Sequence, residues 1–405
     1  MSNKVKNYVL GLQHLFAMFG ATVLVPALTG LNPAVALFTA GIGTLLFHYI
    51  TGKKVPVFMG SSFAFIAALQ IVVPKHGIGA AQSGIIAAGL LYVILSLIVS
   101  LVGIEKVRSF FPPIVTGPII MVIGLTLSPV AVGMASYNWP VAIFVLLVVI
   151  GVTIYDKGFF KLVPILIGIV AGYLVSLGID VFGNIFGFTN EALIDTEAIV
   201  KANWFSLSGD FFTLPRFNLE AITLLAPIAL VTFMEHIGDI TTNGAVVGKN
   251  FFKEPGLHKT LLGDGVATLT AGLLGGPPNT TYSENTGVLA VTKVYDPKIL
   301  RIAAIYAIVL SMIGKLGAIL QTIPVPVMGG VSLVLFGIIA SIGMRTISEA
   351  ELDFTHSRNL IIVALILVVG LGVGSIDITE TFSLSGLFLA ALVGIIANKV
   401  LPQDV

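Results

Sequence analysis

The chain has 405 residues, of which 56% are hydrophobic and 10% charged, and its mean hydropathy is +1.04. That balance excludes a soluble globular domain and points to a polytopic membrane protein. The net charge of +1 carries no basic patch for a nucleic-acid partner, and with no cysteine neither disulfides nor thiol chemistry arise.

In chain order, the opening MSNKVKNYVLGLQHLFAMFG sets Lys4 and Lys6 ahead of an apolar run that Gln13 and His14 interrupt. No small-residue cleavage site follows, so a retained first helix is expected rather than a signal peptide. Apolar runs of spanning length then recur at 9–28, 33–51, 55–74, 78–102, 112–134, 139–155, 161–183, 219–247, 258–275, 279–296, 299–321, 326–343, 358–376 and 383–401. The expected fold class is an all-α polytopic membrane protein with 14 transmembrane segments. With the N-terminus inside and the spans alternating, seventeen cations fall inside, from Lys4 to Lys399. Lys75, Lys201 and Arg216 fall outside, and Lys315 lies within a span. This satisfies the positive-inside rule with both termini cytoplasmic.

The longest loop, 184–218, falls outside, carries Glu191, Asp195, Glu197 and Asp210, and is expected to hold an amphipathic or irregular piece. It divides the chain into two sevens. LQHLFAMFGATVLV (Leu12–Val25) aligns with MEHIGDITTNGAVV (Met234–Val247), and FPPIVTG (Phe111–Gly117) with IPVPVMG (Ile323–Gly329). Matches in the same order suggest a repeat. An odd number of spans per copy makes the two copies inverted, a transporter signature that places a binding site where they meet. The third span of each copy, Lys53–Val73 and Gly275–Thr292, begins with proline and extended-type residues and then turns helical. Ser61 or Ser62 is expected to cap one half-helix, and Glu284 to sit in the first turn of the other. Extended backbone at membrane depth is tolerated where it lines a cavity or is buried in protein.

Glu235 and Glu284 stand within these apolar stretches, where a carboxylate costs about 2.5–3.5 kcal/mol on insertion scales. Such groups usually face a cavity and handle substrate or protons. Glu235 and Asp239 are four residues apart, on one helical face. Two carboxylates that close in a dry site cannot both ionise cheaply, which suits proton coupling. Asp264 can share that network or coordinate a cation, and Lys315 can pair with a buried acid or snorkel. His14 and His236 are ionisable, though a lone histidine in a helix interface is more often a packing residue. No phosphate-cradling loop, Ser-His-Asp set or HExxH favours an enzyme. A channel would need a continuous polar stripe, and an anion exchanger a positive site.

The residues QHLFAMFGATVLVP (Gln13–Pro26), GSSFAFI (Gly60–Ile66), Glu235–His236, PNTTYSENTGVLAVTKVY (Pro278–Tyr295) and PVPVMGGVSLVLFG (Pro324–Gly337) resemble the nucleobase–ascorbate transporters, also called the nucleobase–cation symporter family. Glu284-Asn285-Thr286-Gly287 followed by Thr292-Lys293 fits the family signature, and its leading Glu resembles the uracil branch. The resemblance implies two inverted seven-segment repeats, with short strands in segments 3 and 10 that meet at the substrate. It implies a core domain (1–105 and 219–322), a gate domain (106–184 and 323–405) and an extracellular loop (185–218), with a homodimer formed through the gate. It implies a bacterial cytoplasmic-membrane importer of uracil, working by proton symport and elevator-like alternating access, with no cofactor. Purine symport and Na⁺ coupling remain open.

The implied base site is Phe63, Glu235, Ser283 and Glu284, with Ala21 and Phe336 as pocket walls. Phe63 and Tyr282 suit stacking on a flat base, and carboxylates suit its N–H edge. Glu235, Asp239, His236 and Asp264 are the implied proton-coupling groups. Three departures stand out: Ser283 replaces the usual Gly, Asp239 replaces a His, and Phe336 replaces a Tyr. They bring the purine branch back into consideration.

Overall fold

The structure, a computed structural model, describes residues 3–158, 160–186, 192–205, 212–379 and 382–402. Glu191 and Asp210 of the long loop lie outside these residues. Apolar sequence becomes helix here because backbone in hydrocarbon must satisfy its own hydrogen bonds. Among the described residues, seven helices are long and apolar enough to cross a membrane: Val5–Thr29, Pro33–Ile50, Ile78–Val102, Pro113–Ser136, Pro164–Gly183, Leu219–Val247 and Val325–Glu349. Shorter apolar helices cover Phe63–His76, Trp139–Tyr155, Ser357–Gly372 and Gly386–Val400.

Several runs that read as continuous are broken. The 112–134 run divides at Leu127 into Pro113–Thr126 and Ser128–Ser136, and the 299–321 run divides into Pro297–Ser311 and Gly314–Gln321. The break that matters most lies at the centre. Strand β1 (Met59–Ser61) precedes a 3₁₀ turn at Phe63–Phe65 and the helix Ile66–His76. Strand β2 (Asn279–Thr281) precedes the helix Ser283–Thr292. Prolines 56, 277 and 278 deny donors and helical geometry just before each strand.

The two strands pair antiparallel with Met59 opposite Thr281, Gly60 opposite Thr280 and Ser61 opposite Asn279. Two further bonds lengthen the ladder: Ser62 N–H donates to Pro278 O at 2.8 Å, and Tyr282 N–H to Phe58 O at 3.0 Å. Gly60 is required here. A Cβ on it would lie 2.3 Å from the Tyr282 ring, which covers the strand and donates its hydroxyl to Ser61 O at 2.9 Å. The serine cap is not formed. Ser61 Oγ donates instead to Thr22 O at 3.0 Å, tying β1 to the Asn3–Thr29 helix, and Ser62 makes no side-chain capping bond.

Small residues set the helix packing around this centre, as expected where lipid offers no hydrophobic drive between helices. The Pro113–Thr126 and Val325–Glu349 helices approach so closely at Gly117, Gly124 and Gly343 that a Cβ on Gly124 would meet Phe336 O at 2.4 Å. Gly89 and Gly265 do the same between Ile78–Val102 and Leu257–Leu274.

The described part of the long loop contains the short helix Thr196–Lys201. Among the described residues, Lys315 meets no buried acid. Its Nζ donates at 2.7 Å to both Ile199 O and Val200 O, carbonyls in the last turn of that helix, where a cation is favoured. A second hairpin, unforeseen in the sequence reading, joins β3 (Ser375–Thr379) to β4 (Phe382–Ser385). Its alternation Ser-Ile-Asp-Ile-Thr is a strand pattern absorbed into the neighbouring apolar runs. Ser383 N–H donates to Thr223 Oγ1 at 3.3 Å, setting the hairpin on the Leu219–Leu225 helix.

Candidate functional site

The β1–β2 pair brings two helix N-termini, Phe63–His76 and Ser283–Thr292, to one place. The first-turn N–H groups of such helices have no intrahelical partner and face outward with a partial positive charge. Beside them the Ala229–Val247 helix presents Glu235 and Asp239 one turn apart. A cavity of about 410 Å³ opens between these elements and the Pro113–Thr126 and Val325–Glu349 helices. Six of the expected residues line it together: Phe63, Glu235, Asp239, Tyr282, Ser283 and Glu284.

The two acids on the Ala229–Val247 helix differ in their surroundings. Asp239 uses both oxygens, with Thr281 Oγ1 donating to Oδ2 at 2.7 Å and Ser283 Oγ donating to Oδ1 at 2.5 Å. Glu235 Oε2 is buried and has no hydrogen-bond partner among the described residues. Asp239 therefore fixes the β2 end of the site, while Glu235 keeps acceptor capacity that a ligand N–H can use. A buried acceptor left unpaired costs about 1–3 kcal/mol, so a donor brought to Glu235 from the cavity is favoured. Glu284 lies in the first turn of its helix, as expected.

Four expected residues do not line the cavity. His236 and Asp264 form a separate buried pair behind it, His236 Nδ1 to Asp264 Oδ2 at 2.9 Å, with His236 Nε2 at 2.9 Å from Thr260 Oγ1. His236 points away because it neighbours Glu235 on the helix, about 100° round the axis. Ala21 is fully buried on a helix face turned into the protein core. Phe336 stands behind Phe63, ring centroids 6.3 Å apart and planes at 75°, so it supports the aromatic wall rather than forming it. Tyr282 reaches the cavity, but with its hydroxyl on Ser61 O and its ring over Gly60 it braces β1; Phe63 is the ring free to stack. His14 also stands off the cavity, its Nδ1 3.2 Å from Asn285 Nδ2, which donates to His14 O at 2.9 Å.

The sequence reading missed the wall opposite the strands. Ile120 and Ile123 of Pro113–Thr126, and Ile339, Ile342, Arg345, Thr346 and Glu349 of Val325–Glu349, complete the cavity. The four isoleucines carry an apolar helix pattern common to any span, and Arg345, Thr346 and Glu349 read as an ordinary polar helix end, so nothing in either marks a site. Thr281, which orients Asp239, was hidden for a different reason: it is one of three consecutive polar strand residues, and only the fold shows which of them meets the acid.

Taken together, a centre of paired strands and facing half-helices within apolar spans defines the class: a multi-pass membrane transporter. The Permease family model matches residues 5–378, and the chain belongs to that family. It is 46% identical over 99% of its length to a probable uracil permease of Haemophilus influenzae, with 95% of that protein covered. It is 44% identical to the uracil permease of Bacillus caldolyticus over 97% of its length and 91% of that protein's. The figures for the uracil permease of Escherichia coli K12 are 41%, 95% and 89%. Among solved structures, the transmembrane domain of a cyanobacterium bicarbonate transporter shares the fold at a TM-score of 0.64, covering 98% of both chains at 16% identity. Murine Solute Carrier 26 family member A9, an anion transporter in the inward-facing state, does so at 0.71, covering 99% of this chain and 68% of that one at 9% identity.

Proposed function

We propose that this chain is a uracil importer of the bacterial cytoplasmic membrane, a secondary transporter with no enzymatic activity. The carrying observation is the convergence of Phe63, Glu235 and Glu284 on one cavity beside two helix N-termini. Uracil is planar and neutral, and its edge alternates N–H donors with carbonyl acceptors. Glu235 and Glu284 accept from N–H, the helix-start N–H groups donate to the carbonyls, and Phe63 covers the flat face. The relatives named uracil permeases support the same substrate.

Val246, Arg345, Thr346 and Glu349 line one end of the cavity, and we take this end, where Arg345 and Glu349 are exposed, as its mouth. In the fourteen-segment topology these residues fall on the cation-rich side, so the cavity faces the cytoplasm, as do both termini. The core domain (1–105 and 219–322) carries the acids and strands, and the gate domain (106–184 and 323–405) carries the apolar wall. Import follows from an elevator-like shift of the first along the second, in a homodimer built through the gate. Proton symport is assigned to Glu235 with Asp239, and His236, next to Glu235 on the same helix, links them for relay to Asp264 on the Leu257–Leu274 helix. A purine symporter is the second reading, favoured by Asp239 in place of His.

A binding screen of uracil, xanthine, uric acid, guanine and ascorbate on purified protein tests the substrate, and proteoliposome flux tests transport. Tight binding of uracil alone is expected. Preferential binding of xanthine or uric acid would replace the first reading with the second, and no binding of any base would overturn both.

A further inference from the structure

A second cavity, of about 490 Å³, lies on the other side of Phe63, between the Ile66–His76 helix, the break at Leu127 and the start of the Gly386–Val400 helix. Its lining includes Ala67, Ile71, Thr126, Ser128, Gly374 and Ser385. In the proposed topology these residues lie towards the outer face. Only two described residues line both cavities: Phe63 and Ile123. Both are buried, at 8% and 3% exposure.

We propose that Ile123 is the fixed half of an apolar seal which, closed against Phe63, separates the substrate cavity from the outer cavity. The proposal deepens the transport reading and rests on it. Ile123 sits beside Gly124, where the Pro113–Thr126 helix presses against the backbone of Val325–Glu349, so its Cα cannot drift. A β-branched side chain on a helix holds essentially one rotamer, which makes it a rigid stop. Phe63 is the opposite kind of element. It follows β1 directly, is tied through that strand to β2 and the acids, and is backed by Phe336. Two apolar side chains closing a constriction exclude water and polar solutes by dewetting. As the strand pair moves along the gate wall, Phe63 passes Ile123 and the site exchanges one cavity for the other.

Because the chain has no cysteine, single cysteines report the seal directly. Ser128→Cys lines the outer cavity and Thr346→Cys the inner one, and both lie on the proposed gate domain. Oriented membrane vesicles are treated with a membrane-impermeant thiol reagent from either side. Each cysteine should react from its own side only. Adding Ile123→Ala or Ile123→Thr should speed the labelling of Thr346→Cys from the outer side at least tenfold. Ile123→Val should stay sealed, as should Ile120→Ala, which lines the inner cavity alone. Valine and threonine are nearly equal in shape, so a difference between them isolates wetting from packing, and the threonine variant serves if the alanine variant does not fold. Equal labelling of Thr346→Cys from both sides with Ile123 intact would overturn the proposal. So would unchanged outer labelling in both the alanine and threonine variants. The readout is independent of cargo: if the labelling pattern holds but uracil does not bind, the seal stands and the substrate assignment falls.

Discussion

Ser283 Oγ donates a 2.5 Å hydrogen bond to Asp239 Oδ1, joining the start of the Ser283–Thr292 helix to the Ala229–Val247 helix. These are two of the three positions that depart from the uracil-branch pattern, and they are each other's partner. A glycine offers no donor to residue 239, whereas serine here holds an aspartate in a fixed rotamer. Thr281 holds the second oxygen. A bond to a charged acceptor contributes about 1.5–3 kcal/mol. Thermal unfolding of Ser283→Gly, Asp239→Asn and the double variant should therefore give a coupling energy of about 1–2 kcal/mol. Strictly additive effects would mean that the two side chains occupy their positions independently.

Glu284 is expected to read the base. Glu284→Gln exchanges an acceptor for a mixed donor and acceptor, leaving a ligand N–H facing an amide N–H in one of its two orientations. Uracil affinity should fall at least tenfold, about 1.4 kcal/mol, or preference should move to purines. Equilibrium binding of radiolabelled bases measures this, and near-native uracil affinity and selectivity would remove Glu284 from the site.

The two aromatic residues flanking the strands should separate cleanly. Phe63→Ala should weaken uracil binding by about 1–2 kcal/mol through lost ring contact. Tyr282→Phe removes the bond to Ser61 O and should lower stability by about 0.5–1.5 kcal/mol, with affinity nearly unchanged. A larger affinity loss at Tyr282→Phe than at Phe63→Ala would exchange their roles.

Much of this centre was legible because its residues violate membrane rules. Glu235, Asp239 and Glu284 stand out against hydrocarbon, and the prolines before β1 and β2 forbid helix where helix is the default. Which groups pair was not legible. Hydrogen bonds such as Asn243 Nδ2 to Pro56 O, 187 residues apart in sequence, depend on the tertiary path alone. That His236 and Asp264 would stand behind the cavity rather than on its wall was not legible either, since it follows from the rotation of one residue along the helix from Glu235. Ile123, Ile339 and Ile342 left no signal, since an apolar residue against a cavity and one against a neighbouring helix look alike in sequence.

Coupling is the remaining test. Glu235 lines the cavity with a buried oxygen, Oε2, that is unpaired among the described residues, and Asp239, one turn away, is held by two hydroxyl donors. A second full negative charge one helical turn away at membrane depth is expensive, so binding of a neutral base favours a proton on the pair. Accumulation should therefore rise when the outside is made more acidic than the inside, and collapse when the gradient is removed. Glu235→Gln should abolish this response together with uracil binding. Asp239→Asn keeps the side-chain shape and one acceptor oxygen, so binding should stay within a few-fold of the parent while accumulation loses most of its pH sensitivity. Proteoliposome uptake under an imposed pH gradient, with Na⁺ present or absent, measures both. Accumulation that ignores the pH gradient and requires Na⁺ would instead make Asp239 or Asp264 a cation ligand. The two are then told apart by which of Asp239→Asn and Asp264→Asn raises the Na⁺ concentration needed for half-maximal uptake.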